Sequence, residues 1–138
     1  MAERDPFQNP FPAADTDRRQ IWDMLVTRDI DAFIAADWSA VQDDFIDAGF
    51  MGMNGNFHPD PQGFTLGFPN LAAYRETWLQ QANDFAAQAA AGVFQGNPRD
   101  GIFNATRLEE IEITGDAALV RKKFDGKLAK TDGSFDRM

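Results

Sequence analysis

The chain has 138 residues, 43% of them hydrophobic, which is enough for one domain with a single core. Cysteine is missing and histidine occurs once, so disulfides and thiolate metal sites are excluded and a structural zinc site is disfavoured. The formal net charge of −9 opposes nucleic acid and anionic lipid, since both are held first by Lys and Arg. We therefore predict neither nucleic acid nor membrane as a partner, and no metal or organic cofactor.

Residues 1–14 form an arm rich in proline, which should be extended and poorly ordered unless its phenylalanines dock on the domain. The arm lacks the apolar core of a signal peptide, and no stretch of the sequence approaches a membrane span. These features predict a cytoplasmic protein whose single domain covers residues 15–138.

The residues after the arm predict two helices and a short turn. The first helix should begin at a cap formed by Asp15 or Thr16 and should break around Arg28 and Asp29. Asp29 would cap the second helix, and Asp37 a short helical turn. Apolar residues at helical spacing on these elements are Ile21, Trp22, Leu25, Ile30, Phe33 and Ile34.

Alternating apolar residues over 45–53 predict a strand, followed by turns and a loop rich in proline. Asp47 shares one strand face with Met51 and Met53 and is a candidate general base. Its alternative place is in solvent at the sheet edge. His58 is a second candidate base, because histidine is the side chain that ordinarily titrates nearest neutral pH. Its alternative role is that of a turn residue.

The longest predicted helix covers 71–91, with Asn70 as its N-cap and Gly92 as its stop. Tyr74 and Trp78 belong to its apolar stripe and should lie over the interior. Tyr74 is a candidate hydrogen-bond donor to a substrate oxygen, or else a core residue with its hydroxyl at the rim. Trp22, Phe33 and Trp78 are candidate cavity walls, with plain core packing as the alternative.

A loop over 95–101 should lead into a long hairpin between residues 102 and 124, with Gly115 and Asp116 as a two-residue turn. Strict alternation then places the charged residues Arg107, Glu109 and Lys122 on the apolar face. Two interpretations stay open. A β-bulge between residues 108 and 111 returns these charges to water, or they line a polar cavity as neutralised pairs.

The order of helices, strand, long helix and hairpin resembles the nuclear transport factor 2-like superfamily, which includes polyketide cyclases and ketosteroid isomerase. The likeness rests on residues 28–38 (RDIDAFIAADW), 50–52 (FMG), the helix with Tyr74 and Trp78, and 111–120 (IEITGDAALV). It implies an α+β fold in which a curved, mostly antiparallel sheet wraps around the long helix as a cystatin-like cone. The N-terminal helices would close one end of the cone.

Members of this superfamily usually complete the cone wall with another pair of strands. Only 12 residues follow Gly126, too few for two strands of ordinary length and a turn. Either the chain is truncated, or the N-terminal arm or a second subunit completes the wall. Of these we favour a homodimer.

Two functions follow from the resemblance. The first is a cavity for a small apolar or aromatic molecule, with cofactor-independent isomerase, dehydratase or cyclase chemistry at Asp47, His58 and Tyr74. The second is a non-catalytic ligand-binding or dimerisation module of the same fold. The sequence contains no catalytic motif that decides between them.

Overall fold

The protein is an α+β chain in the computed structural model, which describes residues 3–138. Its helices are α1 (Thr16–Trp22), α2 (Asp29–Ile34), α3 (Leu71–Ala90) and α4 (Pro98–Ala105). Its strands are β1 (Gly52–Asn54), β2 (Thr65–Phe68), β3 (Thr106–Thr114), β4 (Ala117–Phe124), β5 (Lys127–Ala129) and β6 (Phe135–Arg137). The antiparallel pairs are β1 with β2, β3 with β4, and β5 with β6. Residues 3–138 therefore contain three separate two-stranded sheets instead of one continuous curved sheet.

The N-terminal helical region runs without a break. Asp15 caps α1 as predicted, its carboxylate accepting from the backbone N–H of Arg18 at 3.3 Å. The predicted break at Arg28 is wrong, because a π-helical segment, Asp23–Arg28, carries the chain directly into α2. Asp29 keeps a helical backbone there, which leaves its carboxylate free to bond elsewhere.

The long helix α3 has the predicted ends. Asn70 accepts from the backbone N–H of Ala73 at 2.9 Å, and the chain leaves the helix through Gly92 at φ 69°. The predicted loop after it is partly wrong, because Pro98–Ala105 is helical. Asn97 caps this helix by accepting from the Arg99 N–H at 2.9 Å, and Pro98 fits its first turn because the proline lacks an N–H.

The long hairpin β3–β4 confirms the predicted turn and, near the turn, the predicted pairing. Gly115 has φ 62°, and Ile111 pairs with Val120. The register shifts between Leu108 and Glu110, which is the bulge that the sequence left open.

The region around β1 is less regular than predicted. Of the strand expected over 45–53, only residues from Gly52 onward are extended in a pair. Residues 47–50 turn instead, with Phe50 N–H donating to the Asp47 carbonyl at 3.2 Å and Gly49 at φ 82°. A residue with positive φ cannot continue a strand, which explains the error.

The C-terminal residues form a hairpin that the sequence analysis did not predict. Its strands β5 and β6 have three residues each. Because they are shorter than strands of ordinary length, both fit into the 12 residues that follow Gly126. Leu128 of β5 is buried, so this hairpin belongs to the core.

Within the described residues, two apolar clusters form the core. Phe33 packs against both of them. The larger contains Trp22, Val26, Ile30, Phe94, Ile102, Phe103, Leu108, Ile111 and Leu128. The smaller contains Ala32, Trp38, Val41, Trp78 and Ala82.

Residues 3–14, the part of the N-terminal arm that the structure describes, dock on this core. The ring of Phe7 lies 5.0 Å from that of Phe103, and Arg19 Nη1 donates to the Phe11 carbonyl at 2.7 Å. Asn9 Nδ2 donates to the Arg19 carbonyl at 2.9 Å. The arm is therefore fixed by its phenylalanines, the condition under which the sequence analysis expected it to be ordered.

Candidate functional site

A cavity of about 340 Å³ lies between α2, α3 and β4. This volume falls in the range of about 300 to 1,000 Å³ that is usual for small-molecule pockets. Its lining consists of Asp29, Ile30, Phe33, Tyr74, Trp78, Gln81, Ile102, Lys122, Phe124 and Met138. Most of these side chains are apolar or aromatic, and the four polar ones are available to orient a ligand.

The aromatic walls of the cavity are held by ring-to-ring contacts. Phe33 meets Trp78 edge to face, with ring centroids 5.7 Å apart. Trp78 in turn meets Trp38 in the same manner at 5.3 Å. Such pairs contribute beyond the area they bury, so the wall is pre-formed.

An ion pair closes one side of the cavity. Lys122 Nζ donates to Asp29 Oδ2 at 2.6 Å, and the two side chains are 19% and 35% exposed. The ammonium also lies 5.4 Å from the ring centroid of Phe124. The two charges cancel locally, so the cavity presents no net charge from this pair.

The bulge in β3 explains why Lys122 faces inward while its predicted companions do not. Beyond the bulge, Leu108 stands opposite Lys122 on the buried face. Arg107 stands opposite Lys123 and donates through Nη1 to the Asn104 carbonyl at 2.5 Å. The first interpretation thus holds for Arg107, which the bulge turns away from the buried face, whereas Lys122 stays on that face.

Glu109 is also outside the cavity. The bulge leaves it exposed, with one carboxylate oxygen 3.9 Å from Arg4 Nε. Of the three charged residues expected to line a cavity, Lys122 lies in the lining, and Arg107 and Glu109 lie outside it.

Tyr74 lies in the wall of the cavity. Burial raises the pKa of its hydroxyl, and the negative charge of Asp29 raises it further. At neutral pH the phenol therefore keeps its proton and can donate it in a hydrogen bond. Phe45, Phe50 and Phe68 surround the ring at centroid distances of 5.5, 5.5 and 5.2 Å.

The two predicted bases lie away from this cavity. Asp47 is exposed in the turn before β1 and is not among the lining residues. His58 is exposed in the loop between β1 and β2, where its Nδ1 lies 3.1 Å from the Asp60 N–H. A Cβ on Gly63 would come within 2.3 Å of the His58 ring, so the ring packs directly on that glycine. These positions match the alternatives given above, which were a place in solvent for Asp47 and the role of a turn residue for His58.

Trp22 is a core residue and does not line the cavity. It is 4% exposed in the larger cluster and borders a small void of about 40 Å³ beneath the arm. Phe33 and Trp78, by contrast, line the cavity.

Several lining residues were missed by sequence reasoning. Asp29 was interpreted as a helix cap, although it lies four residues before Phe33 and so shares its helix face. Gln81 lies one turn after Trp78, and Phe124 lies two residues after Lys122. Helical and strand periodicity places these residues beside the predicted lining residues. The prediction would have required a helix that continues through Arg28 and a regular β4.

A second groove of about 440 Å³ runs along α1. Its lining is mainly polar and includes Arg19, Gln20 and Asp23, and it lacks aromatic walls. Solvent fills such a groove at little cost, which makes it a weaker candidate than the aromatic cavity.

Across residues 3–138 there is no group of three or more His, Asp or Glu placed to hold a metal ion. In the same span no helix has the length and apolar character needed to cross a membrane. Comparisons with protein-family models, curated proteins and solved structures find no match for this chain.

Proposed function

We propose that the protein binds a small apolar or aromatic molecule in the cavity between α2, α3 and β4. The observation that carries the proposal is a cavity of about 340 Å³ that brings aromatic walls together with Tyr74 and the Lys122–Asp29 pair. Apolar walls supply affinity through desolvation, and the few polar groups fix the orientation.

The polar groups favour a ligand that is uncharged. Lys122 is already neutralised by Asp29 at 2.6 Å, so a carboxylate ligand would have to compete with Asp29 for the ammonium. Tyr74 offers a protonated hydroxyl, and Gln81 can both donate and accept. A ring that carries one hydroxyl or carbonyl oxygen matches these groups.

Catalysis is the second candidate function. Tyr74 and the carboxylate of Asp29 border the same cavity, and their proximity contributes to the raised pKa of the phenol. A proton donor beside a carboxylate suits cofactor-independent isomerase, dehydratase or cyclase chemistry. In this proposal Asp29 takes the place that the sequence analysis gave to Asp47 and His58.

The nuclear transport factor 2-like cone remains the architecture that we propose for the chain. Support comes from a ligand-sized space between the long helix and the long hairpin, where the resemblance places a binding site. The three short sheets would then be a reduced form of the cone wall. A cytoplasmic location likewise stays a prediction from the sequence.

A cavity-filling variant tests the binding proposal. Neutral one-ring and two-ring aromatic compounds are screened by saturation-transfer NMR, which detects the bound ligand. Gln81→Trp should fill the cavity and weaken binding by about tenfold or more. Gln80→Trp is the matched control, because Gln80 and Gln81 are both exposed on the same helix but Gln80 does not line the cavity.

Two outcomes would contradict the binding proposal. One is the failure of every neutral aromatic compound to bind the wild-type protein at millimolar concentration. The other is equal binding by Gln81→Trp and Gln80→Trp, since the ligand would then lie elsewhere. For the catalytic candidate, unchanged turnover in both Asp29→Asn and Tyr74→Phe would exclude the assigned roles.

A further inference from the structure

The β1–β2 hairpin and the residues around it expose many large apolar side chains. Met53 in β1 is 55% exposed and Leu66 in β2 is 50% exposed. The other members of this surface are Ile46, Met51, Phe57 and Phe64. Single exposed apolar residues are common, but six within residues 46–66, four of them in the hairpin itself, mark an interaction surface.

Phe57 is the most telling residue of this surface. It is 99% exposed, and it lies in a tight turn in which the His58 N–H donates to the Gly55 carbonyl at 2.8 Å. The two central residues, Asn56 and Phe57, have φ of 52° and 53°. Turns with two positive φ values strongly prefer glycine at the second position, so phenylalanine is strained there.

The strain at Phe57 has no visible compensation within the fold, because the side chain is almost fully in water. Strained residues with a bulky apolar side chain at a hairpin tip are suited to act as an anchor in a partner's pocket. The structure therefore points to an occupied state in which the Phe57 ring is buried by another chain.

The charge pattern indicates what that chain is. No Lys or Arg occurs between Arg28 and Arg75, while seven aspartates lie in that interval. All four lysines of the protein lie within residues 122–130. Of these aspartates Asp60 is the one that lies in the hairpin, which carries no Lys or Arg, whereas the C-terminal part of the chain is basic.

A groove of about 420 Å³ lies in the basic part, beside the β5–β6 hairpin. Phe124 and Phe135, which are 49% and 51% exposed, contribute aromatic surface to it. Lys127 and Arg137 supply positive charge, and Lys127 Nζ lies 4.2 Å from the ring centroid of Phe135. Asp125 also lines the groove, so two cations face one carboxylate and leave a net positive charge beside the aromatic surface.

We propose that the hairpin tip with Phe57 from one copy of this chain docks in the Phe124–Phe135 groove of a second copy. The aromatic anchor meets an aromatic groove, and Asp60, close to the tip, meets the net positive charge of the groove lining. A reciprocal pair of such contacts closes a two-fold dimer. The proposal does not depend on the small-molecule function.

Sedimentation-velocity ultracentrifugation from micromolar to millimolar protein tests the proposal. The wild-type chain should show a concentration-dependent dimer that weakens at high salt, because exposed charges are screened. Phe57→Gly should weaken association by about tenfold or more. The same variant should be at least as stable as the wild type, since glycine suits the turn. Loss of folding therefore cannot explain its effect.

A mixing experiment tests the pairing of tip and groove. Phe135→Asp removes the aromatic surface and adds a repelling charge, so it should not associate alone. Mixed with Phe57→Gly, it should associate more tightly than either variant alone, because one intact tip still meets one intact groove. Leu119→Ser is the matched control, since Leu119 is a 59% exposed apolar residue outside the groove, and it should dimerise like the wild type.

Three outcomes would overturn the proposal. The first is a wild-type chain that stays monomeric at every concentration, which would assign the hairpin to a different partner. The second is undiminished association of Phe57→Gly. The third is a mixture that associates no more tightly than either variant alone, which would show that tip and groove do not meet.

Discussion

The hairpins β1–β2 and β3–β4 share an antiparallel pairing but differ in what they bury. In β3, the side chains of Leu108 and Ile111 are 2% and 6% exposed. In the shorter hairpin, those of Met53 and Leu66 are 55% and 50% exposed. A two-stranded ribbon is marginally stable alone, so its stability depends on what its faces pack against. The comparison shows that strand pairing by itself does not build a core.

The attachment of the two hairpins to the helices also differs. Lys122 of β4 bonds Asp29 of α2, and the apolar face of β3 lies in the larger core cluster. The β1–β2 hairpin meets the rest of the fold through Phe68, whose ring stands edge to face on Tyr74 at 5.2 Å. The long hairpin is therefore part of the folding unit, and the short one is an appendage with a free surface.

The largest expected effect is the difference in stability loss when one apolar side chain of each hairpin is truncated to alanine. Leu108→Ala should lower the free energy of unfolding by about 3 kcal/mol, because it leaves a cavity in a close-packed core. Leu66→Ala should change it by less than about 0.5 kcal/mol, since half of that side chain is already in water. Urea denaturation monitored by tryptophan fluorescence measures both values. Similar losses in the two variants would show that the short hairpin is as much a part of the core as the long one.

The next effect concerns the ion pair that ties β4 to α2. A double-mutant cycle with Asp29→Asn and Lys122→Gln should give a coupling of about 1 kcal/mol, because the pair is half-buried. The matched cycle uses Glu110→Gln and Arg121→Gln, whose side chains are 61% and 62% exposed and whose charges lie 3.7 Å apart. That coupling should be about zero. Equal couplings would mean that the Lys122–Asp29 pair is as solvated as a surface pair.

Local rules predicted much of the long hairpin and of the helix ends. The turn at Gly115, the pairing of Ile111 with Val120 and the caps at Asp15 and Asn70 each depend on a few adjacent residues. The same rules leave the bulge at Glu109 undecided, because whether a charge faces core or water depends on which helix covers that strand face.

The errors come from contacts between residues far apart in sequence. Asp29 resembles a helix cap locally, and its bond to Lys122 spans 93 positions. Asp47 falls in a strand-like pattern, yet the left-handed conformation of Gly49 at φ 82° turns the chain before the pair with β2 can extend. Sequence reasoning found four lining residues of the cavity, Phe33, Tyr74, Trp78 and Lys122, because each follows a helix or strand period.

The smallest expected effect concerns whether the short hairpin shields the Tyr74 hydroxyl from water. Tyr74 is the only tyrosine in the sequence, so its titration can be observed directly. Burial, with the charge of Asp29, raises the pKa of Tyr74. Phe68→Ala should admit water and bring this pKa down toward its ordinary value, measured by the ultraviolet absorbance of the phenolate. Leu66→Ala, in the same strand but half exposed, should leave it unchanged. An unshifted pKa in Phe68→Ala would show that the hairpin does not shield the phenol.

The same titration has a consequence for stability, and its sign follows from the raised pKa of Tyr74. Above a pH of about 10 the unfolded chain releases the phenol proton while the folded chain still holds it. Unfolding is then favoured by the loss of that proton, so stability should fall as the pH rises through this range. Tyr74→Phe should show a shallower fall than the wild type, because its contribution to proton release is removed. Since the Phe68→Ala variant lowers the folded-state pKa, its own fall should lie between the two, which links the short hairpin to the stability of the whole fold at alkaline pH.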